Sequence, residues 1–243
     1  MLEPLRALGF DILARNHALG ILTHDFPAEF QALVSVLAGF SVPVDEVIGG
    51  GGGEARFTQR LRRSLAEIGW PKHVFHVQTV VDGVEREGIS HEIDHVCAAP
   101  AGTLALEIEW NNKDPFFDRD LENFQRLHAQ SAVSVGVIVT RGASMQAAFQ
   151  RRILARLVAD EVREEADLGR YGITERTSAQ RRAVRKQMAL GLSFAEAFTR
   201  VFVSSKFGQA TTHWAKLLAR VERGVGNPCP LLLLGLPATL LTD

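Results

Sequence analysis

The sequence predicts an α/β fold, a mixed β-sheet flanked by helices, and three patterns carry that prediction. Between residues 74 and 110 apolar and polar residues alternate with period two in the segments VFHVQTVV, ISHEIDHV and TLALEIEW, which are separated by the turn-forming DG, EG and PAG. On both sides of this region the apolar spacing reverts to a helical repeat. A later run, AVSVGVIVTRG, is almost continuously apolar and β-branched, as expected of a strand buried on both faces.

In chain order, residues 25–40 carry Phe30, Leu33, Val34, Leu37 and Phe40 at helical spacing, and Pro43 ends that helix. The glycines Gly49–Gly53 cannot hold a regular element and lead into EARFTQRLRRSLAEIGW, where Phe57, Leu61, Leu65 and Ile68 share a helical face. No Lys-Ser/Thr follows these glycines, which excludes a P-loop. The alternating segments read as three consecutive antiparallel strands. Leu121, Phe124 and Leu127 mark a helix over 118–130, and AVSVGVIVTRG follows as a strand. Residues 145–165 and 178–200 read as helical, with Ser178 as N-cap and Gly191 as a break, and PLLLLGL forms a last strand. Without internal repeats, residues 1–243 are expected to form a single domain, with a core at about 48–142 and a largely helical part at about 143–243.

Composition narrows the classes. The 243 residues are 46% hydrophobic and 23% charged, and the net charge of −1 gives no overall basic signature. Any nucleic-acid binding must therefore rest on local clusters of Lys and Arg. The cysteines Cys97 and Cys229 lack CxxC or Cys/His ligand spacing, which argues against a disulfide framework or zinc knuckle and fits a reducing cytoplasm. The N-terminus has no signal-peptide pattern, and the apolar run Leu231–Leu234 is soon broken by Gly235 and Pro237, so a cytoplasmic protein without a membrane span is expected.

The chemistry concentrates in acidic residues. Along TLALEIEW, Leu104, Leu106, Ile108 and Trp110 point to one face and Glu107 and Glu109 to the other, so the two carboxylates stand side by side. A hairpin through AAPAG brings Asp94 opposite them. Such like charges repel unless a hard cation neutralises them, and oxygen donors suit Mg²⁺. The competing reading is that the glutamates merely solvate the outer face of an amphipathic strand. Glu92 and Asp94 on the neighbouring segment, and the polar WNNKDPFFDRD that follows, argue against it. His91-Glu92-Ile93-Asp94-His95 also spells H-E-x-x-H, the zinc-protease signature, but that motif works only on a helix. Gly88 and Pro100 bracket it, and the alternation places it on a strand.

The run from Asp94 through LEIEWNNKDPFFDRDLENFQRLH to VGVIVTRG resembles the core of the type II restriction endonucleases of the BglII/BamHI-like group, within the PD-(D/E)XK nuclease superfamily. SKFGQATTHWAKLLARVERG with CPLLLLG, and GGGGGEARFTQRL, extend the resemblance over most of residues 48–236. The superfamily's usual lysine is replaced by Glu109, as in BamHI-like members. The resemblance implies a PD-(D/E)XK nuclease-like core with Asp94, Glu107 and the Ile108 carbonyl as metal ligands, Glu109 as ligand and general base, and Glu54 as an upstream acid.

It also implies Asn111 and Asn112 in the DNA major groove, where an amide pairs with an adenine edge, and Thr140 and Arg141 as a second base-reading segment. Lys206, Thr211, Thr212, His213 and Lys216 are implied contacts to phosphates or bases, and the part at 143–243 is accordingly DNA-contacting. Arg176, Arg181, Arg182, Arg185 and Lys186 read either as a backbone-tracking cluster or as a solvated helix face. The resulting expectation is a homodimeric, Mg²⁺-dependent endonuclease, with Mn²⁺ as a substitute, that cleaves both strands of a short palindromic duplex to 5′-phosphate ends. The alternatives are a nonspecific or repair nuclease of the same superfamily, a DNA-binding module with a degenerate site, and the H-E-x-x-H metalloprotease.

Overall fold

The computed structural model describes residues 1–49 and 53–243, so most of the glycine run lies outside the described residues. The chain begins with α1 (Glu3–Leu8), β1 (Asp11–Arg15), α2 (Ala18–His24), α3 (Pro27–Ala38), β2 (Val42–Pro43), α4 (Val44–Ile48) and α5 (Arg56–Glu67). The strands β3 (His73–Val81), β4 (Val84–Ile93), β5 (His95–Ala99) and β6 (Gly102–Glu109) follow. Next come α6 (Phe116–Ala129), β7 (Val135–Arg141), α7 (Ala143–Ala159), α8 (Ser178–Met188), α9 (Phe194–Lys206) and α10 (Trp214–Glu222). The last strands are β8 (Leu231–Leu236) and β9 (Leu241–Thr242).

The main sheet has the order β1-β8-β7-β6-β5. Its three inner strands are parallel, and β1 and β5 run antiparallel at the edges. The expected mixed sheet is therefore present, but its strands come from well outside residues 48–142: β1 lies near the N-terminus and β8 near the C-terminus. Every residue of β7 and β8 is buried, as their unbroken apolar runs require.

The alternation of β6 divides the interior into two layers. Leu104, Leu106, Ile108 and Trp110 join a core with α3, α5, α7 and α9, whereas Ala105 joins a core formed by α6, α10 and the other sheet face. Packing in the second layer is close. A Cβ added at Gly136 of β7 would lie 2.5 Å from Phe124 Cδ2 of α6, so only glycine lets this helix seat on the sheet.

The three consecutive antiparallel strands were expected in one sheet, and the structure corrects this. β3 and β4 form a separate two-stranded ribbon, β5 and β6 form the edge hairpin of the main sheet, and the strand breaks at Asp94 between them. The register β3 to β4 is itself shifted at Thr79/Val80. Helix limits also differ. The expected helix over 178–200 is interrupted as predicted near Gly191, but α8 is capped by Thr177 and not by Ser178: the Thr177 hydroxyl accepts the Gln180 N–H while the Gln180 side chain accepts from the Thr177 N–H. The helix expected over 145–165 ends at Ala159.

A Gly136→Ala substitution is expected to destabilise the protein by about 1–3 kcal/mol through overpacking against Phe124. Urea denaturation measures this, and an unchanged midpoint would show that α6 can retreat from the sheet.

Candidate active site

β5 and β6 build the centre of the site. His95 pairs with Leu106 in the antiparallel register, which continues to set Asp94 opposite Glu107. Burial is the main cause of the raised pKa of Glu107, and Asp94 adds to it through charge and hydrogen bonding. Asp94 is partly exposed, whereas Glu107 and Glu109 are 3% and 2% exposed. The solvated-face reading therefore fails: these glutamates point inward, toward the layer covered by α6.

α6 supplies two groups that the sequence analysis did not single out. Asp120 is wholly buried; its Oδ1 accepts from Arg119 Nε at 2.8 Å, while its Oδ2 meets no hydrogen-bond donor. Arg119 also lies 3.6 Å from Glu109 Oε1. The signal for Asp120 was present in the helical spacing, since Phe117, Asp120, Leu121 and Phe124 occupy one stripe and a carboxylate within it must be buried. Arg62 of α5 is the other addition. It lies 3.5 Å from Asp94 Oδ1 and 3.1 Å from Glu54 Oε2, so Glu54 is linked to the centre through Arg62.

Burial first, then the Asp120 and Asp94 carboxylates, push the Glu107 pKa up to about 10. Burial and the Asp120 carboxylate push Glu109 up to about 9, against the Asn112 amide and Arg119, which favour its charged form. Asp120 is also raised, mainly by burial. This donor set suits a hard divalent cation: it consists of oxygen groups that near neutrality require either protons or positive charge, and one buried oxygen has no donor. Among the described residues, no three Asp, Glu, His or Cys side chains already form a metal cage. Mg²⁺ does not need one, because it binds through one or two carboxylates and retains several waters.

The polar segments beyond β6 converge on Glu109. Asn112 Nδ2 donates to Glu109 Oε2 at 2.9 Å, and Thr140 Oγ1 donates to the Glu109 carbonyl at 2.7 Å. The Asn112 carbonyl accepts the Thr212 N–H at 2.9 Å, and Lys113 forms a β-bridge with Thr211. Asn111, Asn112, Ile108, Asp94, Glu54 and Lys206 line one cleft. Asn111 Oδ1 is buried without a donor.

Other expected contacts are placed differently. Arg141, expected to read guanine, is fully buried and its donors are bonded to Thr211, Thr212 and Gln146. Thr140 and Thr212 are likewise buried. Lys206 Nζ donates to the Val47 and Gly49 carbonyls at 3.1 and 3.2 Å, closing the C-terminal end of α4. Lys216 and Arg220 both pair with Asp114, and His213 is buried at the start of α10 with Nε2 unpartnered. In the distal basic cluster, Arg176 and Arg181 pair with Glu165.

The H-E-x-x-H residues do not form a zinc site. His91 lies in β4 and His95 in β5, so no helix brings the two rings to one face. His95 Nδ1 donates to the Trp70 carbonyl at 2.9 Å, as a packed core histidine.

A helix-flanked mixed sheet with juxtaposed acids at the end of an inner strand defines a nuclease-like core. Residues 10–236 match the family model described as Restriction endonuclease BglII/BglIII, and the chain belongs to that family. It is a site-specific deoxyribonuclease with DNA as its substrate, of a kind that generally uses divalent metal ions. No curated protein matches the chain in a direct sequence comparison. Among the described residues, no helix is long and apolar enough to cross a membrane.

The raised acids give the metal-free protein a defined pH response. The folded state holds protons on Glu107 and Glu109 that the unfolded chain releases above its value of 4.5. This contribution is complete below that pH and is lost as pH rises toward about 9 and about 10. Melting temperatures in EDTA should fall from about pH 6 to about pH 9, and Ca²⁺ should flatten the decline by neutralising the ionised carboxylates. A flat profile in EDTA would show that the acids remain ionised and paired without a cation.

Proposed function

We propose that the protein is a Mg²⁺-dependent type II restriction endonuclease, with Mn²⁺ as a substitute, acting as a homodimer on a short palindromic duplex and leaving 5′-phosphate ends. The observation that carries this reading is the placing of Asp94 opposite Glu107 across the β5–β6 hairpin, with Glu109 next to Glu107 on the same strand face. Asp94, Glu107 and the Ile108 carbonyl would hold the cation, which when bound supplies positive charge to the scissile phosphate and makes water a stronger nucleophile at neutral pH. Glu109, whose carboxylate is oriented by Asn112, receives the proton from the attacking water. Glu54 acts from outside this group through Arg62.

Asn111 and Asn112 share a cleft wall with Asp94 and Glu54, which supports reading them as contacts to base edges, and Lys216, paired with Asp114, is read as a phosphate contact. A two-fold dimer matches a two-fold DNA site, each subunit cutting one strand. A core of buried side chains from Leu2 to Leu241 supports reading 1–243 as one domain.

Digestion of plasmid DNA of known sequence in Mg²⁺ should give discrete fragments with 5′-phosphates, and EDTA should abolish cutting. A smear would favour the nonspecific nuclease, and undiminished cleavage in EDTA would remove the metal from the reaction. Asp94→Ala, Glu107→Ala and Glu109→Ala should each lower cleavage on the order of 10³-fold or more, corresponding to several kcal/mol of transition-state stabilisation. Glu109→Lys should be badly impaired, because its ammonium would compete with the cation. His91→Ala should retain substantial activity. Full cleavage by Asp94→Ala would sink the assignment of the centre.

A further inference from the structure

Glu109 lies at the end of a hydrogen-bonded relay that starts in the C-terminal third of the chain. Thr212 grips the backbone of Asn112 on both sides: the Asn112 N–H donates to Thr212 Oγ1 at 3.1 Å, and the Thr212 N–H donates to the Asn112 carbonyl at 2.9 Å. The Asn112 amide then donates to Glu109 Oε2 at 2.9 Å. Behind Thr212, Arg141 donates from Nε to the Thr212 carbonyl at 3.1 Å and from a terminal nitrogen to Thr211 Oγ1 at 2.7 Å.

Arg141 is itself held rigidly. Its other terminal nitrogen donates to Gln146 Oε1 at 2.6 Å, and the rings of Trp110, Phe149 and Phe207 surround the guanidinium at 5.0 to 5.9 Å. Among the described residues no carboxylate forms an ion pair with it. A fully buried cation without a counter-charge is costly, and here all three of its nitrogens are engaged, on residues 211 and 212 and on Gln146.

We propose that Thr212 and Arg141 are positioning residues for Glu109, acting through Asn112, so that base reading and the seating of the catalytic carboxylate are one geometric condition. This inference rests on the reading of Glu109 as a catalytic group and of Asn112 as a base-reading one. An amide nitrogen has two hydrogens, and an asparagine pairs with adenine by giving one to N7 and accepting from N6 at its oxygen. With its backbone clamped by Thr212, Asn112 keeps its second hydrogen on Glu109 while it pairs with the correct base. A wrong base rotates the amide and withdraws that hydrogen, so discrimination falls on the cleavage rate as well as on affinity. Neither Thr212 nor Arg141 needs to touch DNA for this, and both are buried.

The test uses the full chain and a duplex carrying the site mapped from plasmid digestion. Single-turnover cleavage is measured in Mg²⁺ with enzyme in excess, and affinity for the same duplex in Ca²⁺. Thr212→Val removes the oxygen that holds Asn112 and should slow cleavage on the order of 10- to 100-fold, the scale of a small misplacement in an active site, while changing affinity by less than about threefold. Thr212→Ser should restore the rate. Arg141→Lys, which keeps the charge and loses the fork, should show the same split between rate and affinity, and it serves if the valine variant does not fold. Cleavage at the wild-type rate by both Thr212→Val and Arg141→Lys, or parallel losses of rate and affinity without rescue by serine, would overturn the relay. Failure of the wild-type chain itself to cut any DNA would instead overturn the nuclease assignment on which the relay rests.

Discussion

The organising constraint of this molecule is the burial of acidic side chains on an inner strand. Glu107 and Glu109 leave β6 on the face opposite Leu104, Leu106 and Ile108, and α6 closes over them with Asp120. Removing a carboxylate from water costs several kcal/mol even after relaxation, so a cluster of them cannot persist fully charged and unaccompanied. The fold supplies partial answers: Arg119 bonds Asp120, the Asn112 amide bonds Glu109, and burial, with the remaining repulsion added to it, drives protons onto the glutamates. A divalent cation resolves the same conflict more completely. The pH response expected of the apo fold and the proposed binding of a metal would therefore have a common origin.

Elements far apart in sequence are drawn in to satisfy this centre. The break at Asp94 lets one stretch of extended chain serve two sheets: β4 leaves in a ribbon with β3, and β5 turns back along β6 with Asp94 at its start. β7 runs parallel to β6 and delivers the Thr140 hydroxyl to the Glu109 carbonyl. The segment before α10 pairs with the strand exit at residues 112–114, where Asp114 in turn holds Lys216 and Arg220. The C-terminal third thus buttresses the acidic strand directly.

Much of the fold was legible because its signals are local. The period-two alternation located β6 and the direction of its glutamates, and the unbroken apolar runs located β7 and β8. β1 was missed, since five residues, DILAR, carry too short a pattern, and its place beside β8 depends on pairing across most of the chain. The partition of β4 and β5 between two sheets was illegible for the same reason: alternation reports which side a residue faces, not which strand it pairs with. Type and spacing singled out Asp94, Glu107 and Glu109, which the structure sets across the β5–β6 hairpin. Asp120 was overlooked although its helical register marked it as buried, because a charge in an apolar stripe reads as an interruption until the opposing face is known.

Arg141 shows why residue type alone does not assign a role. A guanidinium at the end of a strand beside an active site has the geometry to read guanine, and the same planar fork can grip backbone and hydroxyl oxygens inside a core. What separates the two uses is the neighbourhood, and here Trp110, Phe149 and Phe207 come from β6's exit and two different helical regions to enclose it. An exposed reader would leave donors free for a base edge, but these donors end on Thr211, Thr212 and Gln146. Rigidity at this point has a chemical use. If Glu109 is the proton acceptor proposed above, it works only within a narrow range of positions, and a polar side chain fixed at both backbone ends would hold it there better than one on a free loop. On the proposed reading, the buried arginine fixes residues 211 and 212, and through them the backbone from which Asn112 reaches Glu109.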